Sequence, residues 1–514
     1  MENTGRILRV LTPGARRILF NDTADDSITA ELDEASQVDR AHLVMLAETG
    51  IAKRHSACAL LKEIDRLRAS NFEPLRGLPA PRGLFLLYES YLIEKLGGET
   101  GGILQTARSR NDLNATTLRM RMRKPYQKLL REALRLQAVL INRGRRFADV
   151  VMPIYTHYQP ALPVTFGHYL LGVAYAVERD IAGIVEAARG LSRCPLGAGA
   201  VGGTSLPIDP SVTAGLLGFD GPIPHSIDAV ASRDLVTRLL AATTLLGVTL
   251  SRLATDFLLW STAEFGFLKF PDHLVGSSSM MPQKRNPFIL EHVQGRSAAP
   301  LGGFVAAVTA MHATPYTNSI AVGTEAVSHV WKSLQDITET VTLTRLAIDG
   351  ARPDRAPMLE RAVHGYTTAT ELANRLVVEG GQDFRAAHHA VGTMIREGID
   401  RKELLQEVMR RQIEEGSQSV STDGLDPISV ARKSNGGGGP GQESTARCIE
   451  ELEQAWRRDA KLKNEQARKW KAADLALDKA VRKLCEGSEA QNRDGNIRAE
   501  PPEYSSKPTE RRRR

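Results

Sequence analysis

The 514-residue chain is poor in aromatic side chains, which make up 5% of it, and its four cysteines, Cys58, Cys194, Cys448 and Cys485, stand far apart with no CxxC pair. Neither a zinc site nor a disulfide framework is expected from such spacing, and the reading is four free thiols in a reducing compartment. No apolar run is long enough to cross a bilayer: LLAATTLLGVTL lies between Arg238 and Arg252. The opening MENTGRILRV carries charge and turns polar by Asn21, unlike a secretory leader. Internal repeats, a GK[ST] phosphate loop and a GxSxG elbow are missing too, which removes solenoids, P-loop enzymes and α/β-hydrolases. The expectation is a soluble cytoplasmic protein with no membrane partner.

What is present favours helices: 42% hydrophobic and 25% charged residues, with an aliphatic bias toward Leu, Ala and Arg. The length predicts two or three domains. Net charge is +7, and from Arg447 onward 18 Lys/Arg face 13 Asp/Glu, so the tail holds five of those seven charges. RGG repeats and zinc spacings are missing from it, so nucleic-acid binding is disfavoured and the tail is expected to be solvated or packed on a partner.

Apolar positions recur at three and four over AHLVMLAETGIAKRHSACALLKEIDRL, predicting helices across residues 29–69. LPAPRG breaks the pattern, and LFLLYESYLIEKLG reads as another helix stopped at Gly97-Gly98. A helix is expected from Asn111 through Arg146 with a kink at Pro125, and another from His168. Pro195 to Pro210 is a glycine-rich loop. Ser232 to Phe265 reads as one helix, apolar on more than one side and so central in a bundle. Two more follow, PFILEHVQGRSAAPLGGFVAAVTAMHA and EAVSHVWKSLQDITETVTLTRLAI, then a smaller helical region from about Pro357 to Asp423. After NGGGGPG one charged helix runs to Cys485, and the remainder has a disordered composition. With no long period-two strand, the fold class is all-α.

Three polar clusters interrupt the helices: TARSRNDLN (Thr106–Asn114), MPIYTHYQP (Met152–Pro160) and GSSSMMPQKRNP (Gly276–Pro287), each placed at the end of a long helix. They supply Arg110, Lys284, Asn111, Asn286, Thr156 and several serines, all donors suited to carboxylates. One loop histidine, His157, accompanies them, with no thiol or carboxylate group arranged for a metal. Such a set suits a small polyanion whose charge grows during reaction. Removing a proton next to a carboxylate does this: the carbanion becomes a doubly charged aci-carboxylate, and donors aimed at it lower the barrier. Taken singly, each residue has a plainer reading. Ser278 is then a loop hydroxyl, His157 structural, Glu291 a solvated helix residue, and Arg110 with Asp112 an ion pair. In an elongated subunit the clusters would lie far apart and meet only across an oligomer.

SSMMPQKRNP resembles the signature loop of the fumarase/aspartase superfamily, commonly GSSxMPxKxN, and SRND and YTHYQ accompany it in the family's order. TARSRND, MPIYTHYQP, PLGAGA, SRDL, MPQKRNP and SVARKSNGGGGPG are similar to the argininosuccinate lyase branch, over residues 20–445. The resemblance implies a mostly helical three-domain subunit in a homotetramer, with a twenty-helix core and active sites that each draw loops from three subunits. The corresponding division is an N-terminal helical domain (1–112), a central bundle (113–356), a small C-terminal helical domain (357–434), and a glycine-rich linker, charged helix and basic tail (435–514). It implies a carbon–nitrogen lyase that releases fumarate from a small dicarboxylate substrate and uses no cofactor or metal. Counting back from Lys284 puts Ser277 where the family has glycine and Ser278 at its catalytic serine, the base for the Cβ proton. Lys284 and neighbouring donors would stabilise its alkoxide-like state. Ser279, Lys284 and Asn286 would hold the fumarate carboxylates with Arg110, Asn111 and Thr156, and Ser109, Met281 and Tyr316 complete the substrate-binding set. His157 and Glu291 match the family's polarised pair near the leaving group.

The chain also departs from that branch. LHTGRSRND becomes LQTARSRND, with Gln105 and Ala107; DIxGSxAH becomes ASQVDRAH; and YNKDxQED becomes YTNSIAVGT, which keeps Tyr316 but loses the charged followers. LQRAQP becomes YQPALP. The fumarate-holding half is kept while the amine side turns smaller or apolar, and a site built for a guanidinium does not discard its polar partners without losing specificity. The substrate expected is therefore an N-substituted aspartate whose amine is not arginine, such as ethylenediamine-N,N′-disuccinate. The alternatives are a true argininosuccinate lyase, a catalytically silent helical scaffold, and a nucleic-acid binder acting through the tail.

Overall fold

The computed structural model of the protein describes residues 9–20, 28–414 and 420–495, without side chains for 487–495. The first residues of the opening segment and the final basic stretch, 496–514, lie outside the described residues. The fold is all-α, with short two-stranded pairs at its loops.

Helices α1 (Ile28–Glu48), α2 (Arg54–Ala69) and α3 (Leu84–Leu96) pack around one apolar cluster containing Leu43, Leu60, Leu61 and Tyr88. The largest cluster belongs to a bundle of α4 (Arg110–Arg146), α5 (Phe166–Ala187), α6 (Asp234–Trp260), α7 (Phe288–Arg296), α8 (Ala299–Met311) and α9 (Ala326–Gly350). At 1.5 Å per residue the 37 residues of α4 reach about 55 Å and the 27 of α6 about 40 Å. A third cluster joins α11 (Ala369–Val378), α12 (Phe384–Arg401) and α13 (Leu405–Glu414), set between α10 (Arg355–His364) and α14 (Pro427–Lys433). Helix α4 continues through Pro125 without a break.

Several expectations need correction. The 232–265 helix stops at Trp260, where a turn returns the Phe267 amide to the Trp260 carbonyl (2.9 Å). The 287–313 segment is two helices, because Pro300 brings no amide donor and starts α8 afresh. The second polar cluster is not a helix end but a hairpin, β1 (Val151–Thr156) against β2 (Gln159–Thr165). The apolar run around Leu245 belongs to a helix that is, by length and composition, long enough to cross a membrane. Four bundle helices flank it, α5, α7, α8 and α9, which is the setting of a core helix.

The C-terminal helix α15 (Gln442–Gly495) is not wholly solvated but packs one face on the chain's own fold, and it extends past Cys485 into the stretch of disordered composition. It lies along the chain's own bundle, where the Trp456 indole donates to the Leu134 carbonyl (2.9 Å), and ends beside α1, where Arg40 pairs with Asp478 (2.7 Å). There it carries Cys485 to Cys58 on α2, with Cα atoms 5.2 Å apart, and the two are joined as a disulfide. The expectation of four free thiols therefore fails for this pair. A sequence separation of 427 hid a proximity that only the packing of α15 on α2 creates. Cys194 and Cys448 are free.

Candidate active site

The first polar cluster opens α4. Ser109 is its N-cap: its hydroxyl accepts from the Asn111 amide (3.2 Å), and its own amide donates to the Asp112 carboxylate (3.0 Å). Among the described residues Asp112 pairs with no arginine. It also accepts amides from Leu113 (3.0 Å), Gly197 (3.1 Å) and Gly199 (2.9 Å), which fastens the glycine-rich loop to the cluster and overturns the ion-pair reading with Arg110. Gly199 (φ +60°) requires glycine there, because a Cβ would stand 2.8 Å from the Gly203 carbonyl oxygen. Asn111 donates to the Ala200 carbonyl (3.2 Å) and accepts from the Asn318 amide (3.0 Å), while the Tyr316 hydroxyl donates to Asp228 (2.8 Å). That bond, ahead of burial, pushes the Tyr316 phenol up. Arg110 is exposed at the rim.

Beneath this end lies a buried support that sequence reasoning missed. Arg108 donates to Asp39 (2.5 Å) with both side chains fully buried, and the His42 ring meets the Thr106 carbonyl (2.9 Å). Between them Ala107 adopts φ +59°, in the left-handed region that favours glycine. A β-carbon there costs about 1–2 kcal/mol, which the anchored residues on either side hold in place.

The second and third clusters sit at the other end of the bundle. Thr156 pairs with Gln159, so His157 and Tyr158 alone make the hairpin turn, with φ of 51° and 62°. Two positive φ angles define a type I′ turn, which favours Asn-Gly. A histidine and a tyrosine, both exposed, hold it here. The signature loop starts and ends as a two-stranded pair, β3 (Gly276–Ser277) with β4 (Arg285–Asn286), anchored by Arg285 on the Phe270 carbonyl (2.9 Å) and on Asp272 (2.5 Å). Inside it the Ser278 hydroxyl oxygen accepts amides from Met280 (3.3 Å) and Met281 (3.0 Å). Ser279, Met281 and Lys284 are exposed, Asn286 is half-buried, and Glu291 is exposed in the first turn of α7.

The single chain therefore brings together Ser109, Arg110, Asn111 and Tyr316 at one end of α6. It places Thr156, His157, Ser278, Ser279, Met281, Lys284, Asn286 and Glu291 at the other, about 40 Å along the bundle. Among the described residues no hydrogen bond or ion pair joins the hairpin to the signature loop, and His157 and Glu291 do not pair. Among the described residues, the cavities of about 640, 580, 500 and 520 Å³ contain none of these twelve residues. Asn318 and Asp228 were not anticipated; Asn318 lies in the segment read only as a loss of charge, and nothing in the sequence ties Asp228 to Tyr316.

Comparison with known proteins fits this arrangement. A family profile described as lyase matches residues 87–302, and one described as argininosuccinate lyase C-terminal matches 366–432. The chain is 33% identical to the argininosuccinate lyase of Methanocaldococcus jannaschii over 432 residues, 83% of this chain and 89% of that one. It is 37% identical to that of Methanospirillum hungatei over 70% of this chain and 73% of the relative. Among solved structures, EDDS lyase in complex with formate superposes with a TM-score of 0.79 and 26% identity, covering 92% of this chain and 99% of the other. Class II fumarase from Schistosoma mansoni, at 16% identity and a TM-score of 0.65, shares the fold over 79% and 91%. The chain belongs to the argininosuccinate lyase branch of the fumarase/aspartase superfamily, a family of fumarate-releasing carbon–nitrogen lyases.

Proposed function

We propose that the protein eliminates fumarate from an N-substituted aspartate, with Ser278 as the base. Its oxygen takes the Cβ proton, the electron pair passes into the adjacent carboxylate as the aci form, and collapse of that dianion breaks the Cα–N bond, the nitrogen leaving with the pair. The observation that carries the reading is the pair of backbone amides, Met280 and Met281, aimed at the Ser278 oxygen. Donors on an oxygen favour its anionic form. Lys284, Ser279, Asn286, Thr156, Arg110 and Asn111 are assigned to the carboxylates, Met281, Ser109 and Tyr316 to the substrate's remaining contacts, and His157 with Glu291 to the leaving-group side.

Because Arg110 and Ser278 stand at opposite ends of the bundle, a complete site needs other copies, and a homotetramer with shared sites is the proposed assembly. An apolar face supports it: Leu245 (63% exposed) and Val248 (52%) on α6 lie beside Leu301 (49%) and Val305 (54%) on α8. Patches of that kind mark association surfaces.

For the amine we favour an aminopolycarboxylate such as ethylenediamine-N,N′-disuccinate over argininosuccinate. Asn111 and Tyr316 are engaged by Asn318 and Asp228, and the segment after Tyr316 offers no cation until α9. A panel of N-substituted aspartates assayed for fumarate by its ultraviolet absorbance tests this. Turnover should be highest on the disuccinate and should fall about 10²–10⁴-fold in Ser278→Ala. Preference for argininosuccinate would replace the amine assignment, and no fumarate from any substrate would make the chain a silent scaffold.

A further inference from the structure

A concentration of unmatched positive charge lies away from the residues assigned to elimination. A cavity of about 640 Å³ opens below the base of the hairpin, where the last turn of α4, the start of α10, helix α14 and the first turns of α15 converge. That volume is typical of small-molecule sites. Four arginines line it, Arg145 and Arg146 from α4, Arg355 from α10 and Arg432 from α14, against a single acid, Asp149. Arg355 forks onto Asp149 at 2.9 and 3.0 Å, and Arg145 is taken by Glu453 of α15. Arg146 has no acidic partner among the described residues; its guanidinium lies 5.5 Å over the Phe147 ring. Arg432 likewise has none, and it stands close enough to Asp149 to help Arg355 hold that carboxyl below the usual range.

The end of α15 does not explain the charge. Its first amides, those of Glu443 and Ser444, are occupied by the Asn435 side chain (3.1 and 3.2 Å). Three apolar side chains, Ile428, Ala431 and Ile449, also line it. Guanidinium forks match phosphate oxygens two at a time, and an apolar part of the lining suits the body of a molecule that carries such a group.

We propose that this cavity is a binding site for a small ligand bearing two or more linked phosphates, gripped by Arg146 and Arg432 and steadied by Arg355. The site is separate from the elimination chemistry and stands whether or not the substrate assignment does. It has a structural consequence: Arg146 belongs to the long bundle helix and Arg432 to α14, so an occupant ties these elements together at the base of the hairpin whose tip is His157.

Calorimetric titration of the full-length protein with pyrophosphate, and separately with ADP, tests the proposal. Saturable binding of one pyrophosphate per subunit is expected, with the affinity falling at least tenfold in Arg146→Ala and in Arg432→Ala while both variants keep wild-type melting temperature and basal turnover. Tighter binding of ADP than of pyrophosphate would show that the apolar lining is used; equal binding would leave the phosphate site standing with pyrophosphate itself as its occupant. No saturable heat, affinity unchanged in both arginine variants, or affinity lost instead in Lys284→Ala would overturn it.

Discussion

At the scale of single residues, strain and burial mark what the site is built to hold. His157 occupies the first position of a type I′ turn at φ 51°, where asparagine would sit at lower cost. His157→Asn should therefore keep or slightly raise the melting temperature while fumarate release drops at least about 10²-fold, the lower range for a lost acid–base group. A melting temperature well below wild type would mean that the histidine is structural. His42 offers a second test. The Thr106 carbonyl can only accept, so Nε2 carries a proton. Burial first, and then the charge of Arg108, bring its pKa down to about 3, with Asp39 paired to that arginine close by. The unfolded ring takes up its proton near pH 6.5, so between pH 6.5 and 3 the unfolded state binds a proton that the folded state refuses. The stabilisation is complete above pH 6.5 and falls by about 1.4 kcal/mol per unit as pH drops through that window. Urea unfolding at pH 7, 6 and 5 should show this slope in the wild type and a flatter one in His42→Gln; equal slopes would contradict it. The signature loop, the histidine and Arg110 were legible as residue types with a shared chemistry. The Arg108–Asp39 support was not, because nothing local reveals that a charged pair 69 residues apart is buried.

Among the elements, helices with a plain apolar period were readable, and α1 to α4 and α9 lie close to where the pattern puts them. The errors came where tertiary contacts decide. Trp260 ends α6 through a turn that packs Phe267 into the core, and the hairpin around His157 is too short for a period to show. Helix α15 is the clearest case. Its composition reads as a solvated charged helix, yet Leu477, Val481 and Leu484 recur on one face and complete the N-terminal apolar cluster. The Cys58–Cys485 disulfide then fixes that docking. Removing it with Cys58→Ser should lower stability by about 2–5 kcal/mol, and faster amide exchange should be confined to the end of α15 and to α2. Unchanged melting and exchange, in the variant or under reductant, would mean that the packing alone holds the helix.

For the whole molecule, the fold family was legible because three motifs occur in order, and order survives where contacts cannot be seen. The assembled site was not, since one chain holds its donors at two ends separated by about 40 Å. The central claim is that copies of the chain supply each other's missing loops. Ser278→Ala and Arg110→Ala each disable one end and leave the other intact, so neither alone should release fumarate at an appreciable rate. Co-refolding the two inactive variants is the most direct measurement. Mixed oligomers should contain some sites with an intact Ser278 loop from one copy and an intact Arg110 loop from another, and fumarate release absent from both parents should return. Mixed oligomers, verified by native mass spectrometry, that remain as inactive as their parents would contradict the account.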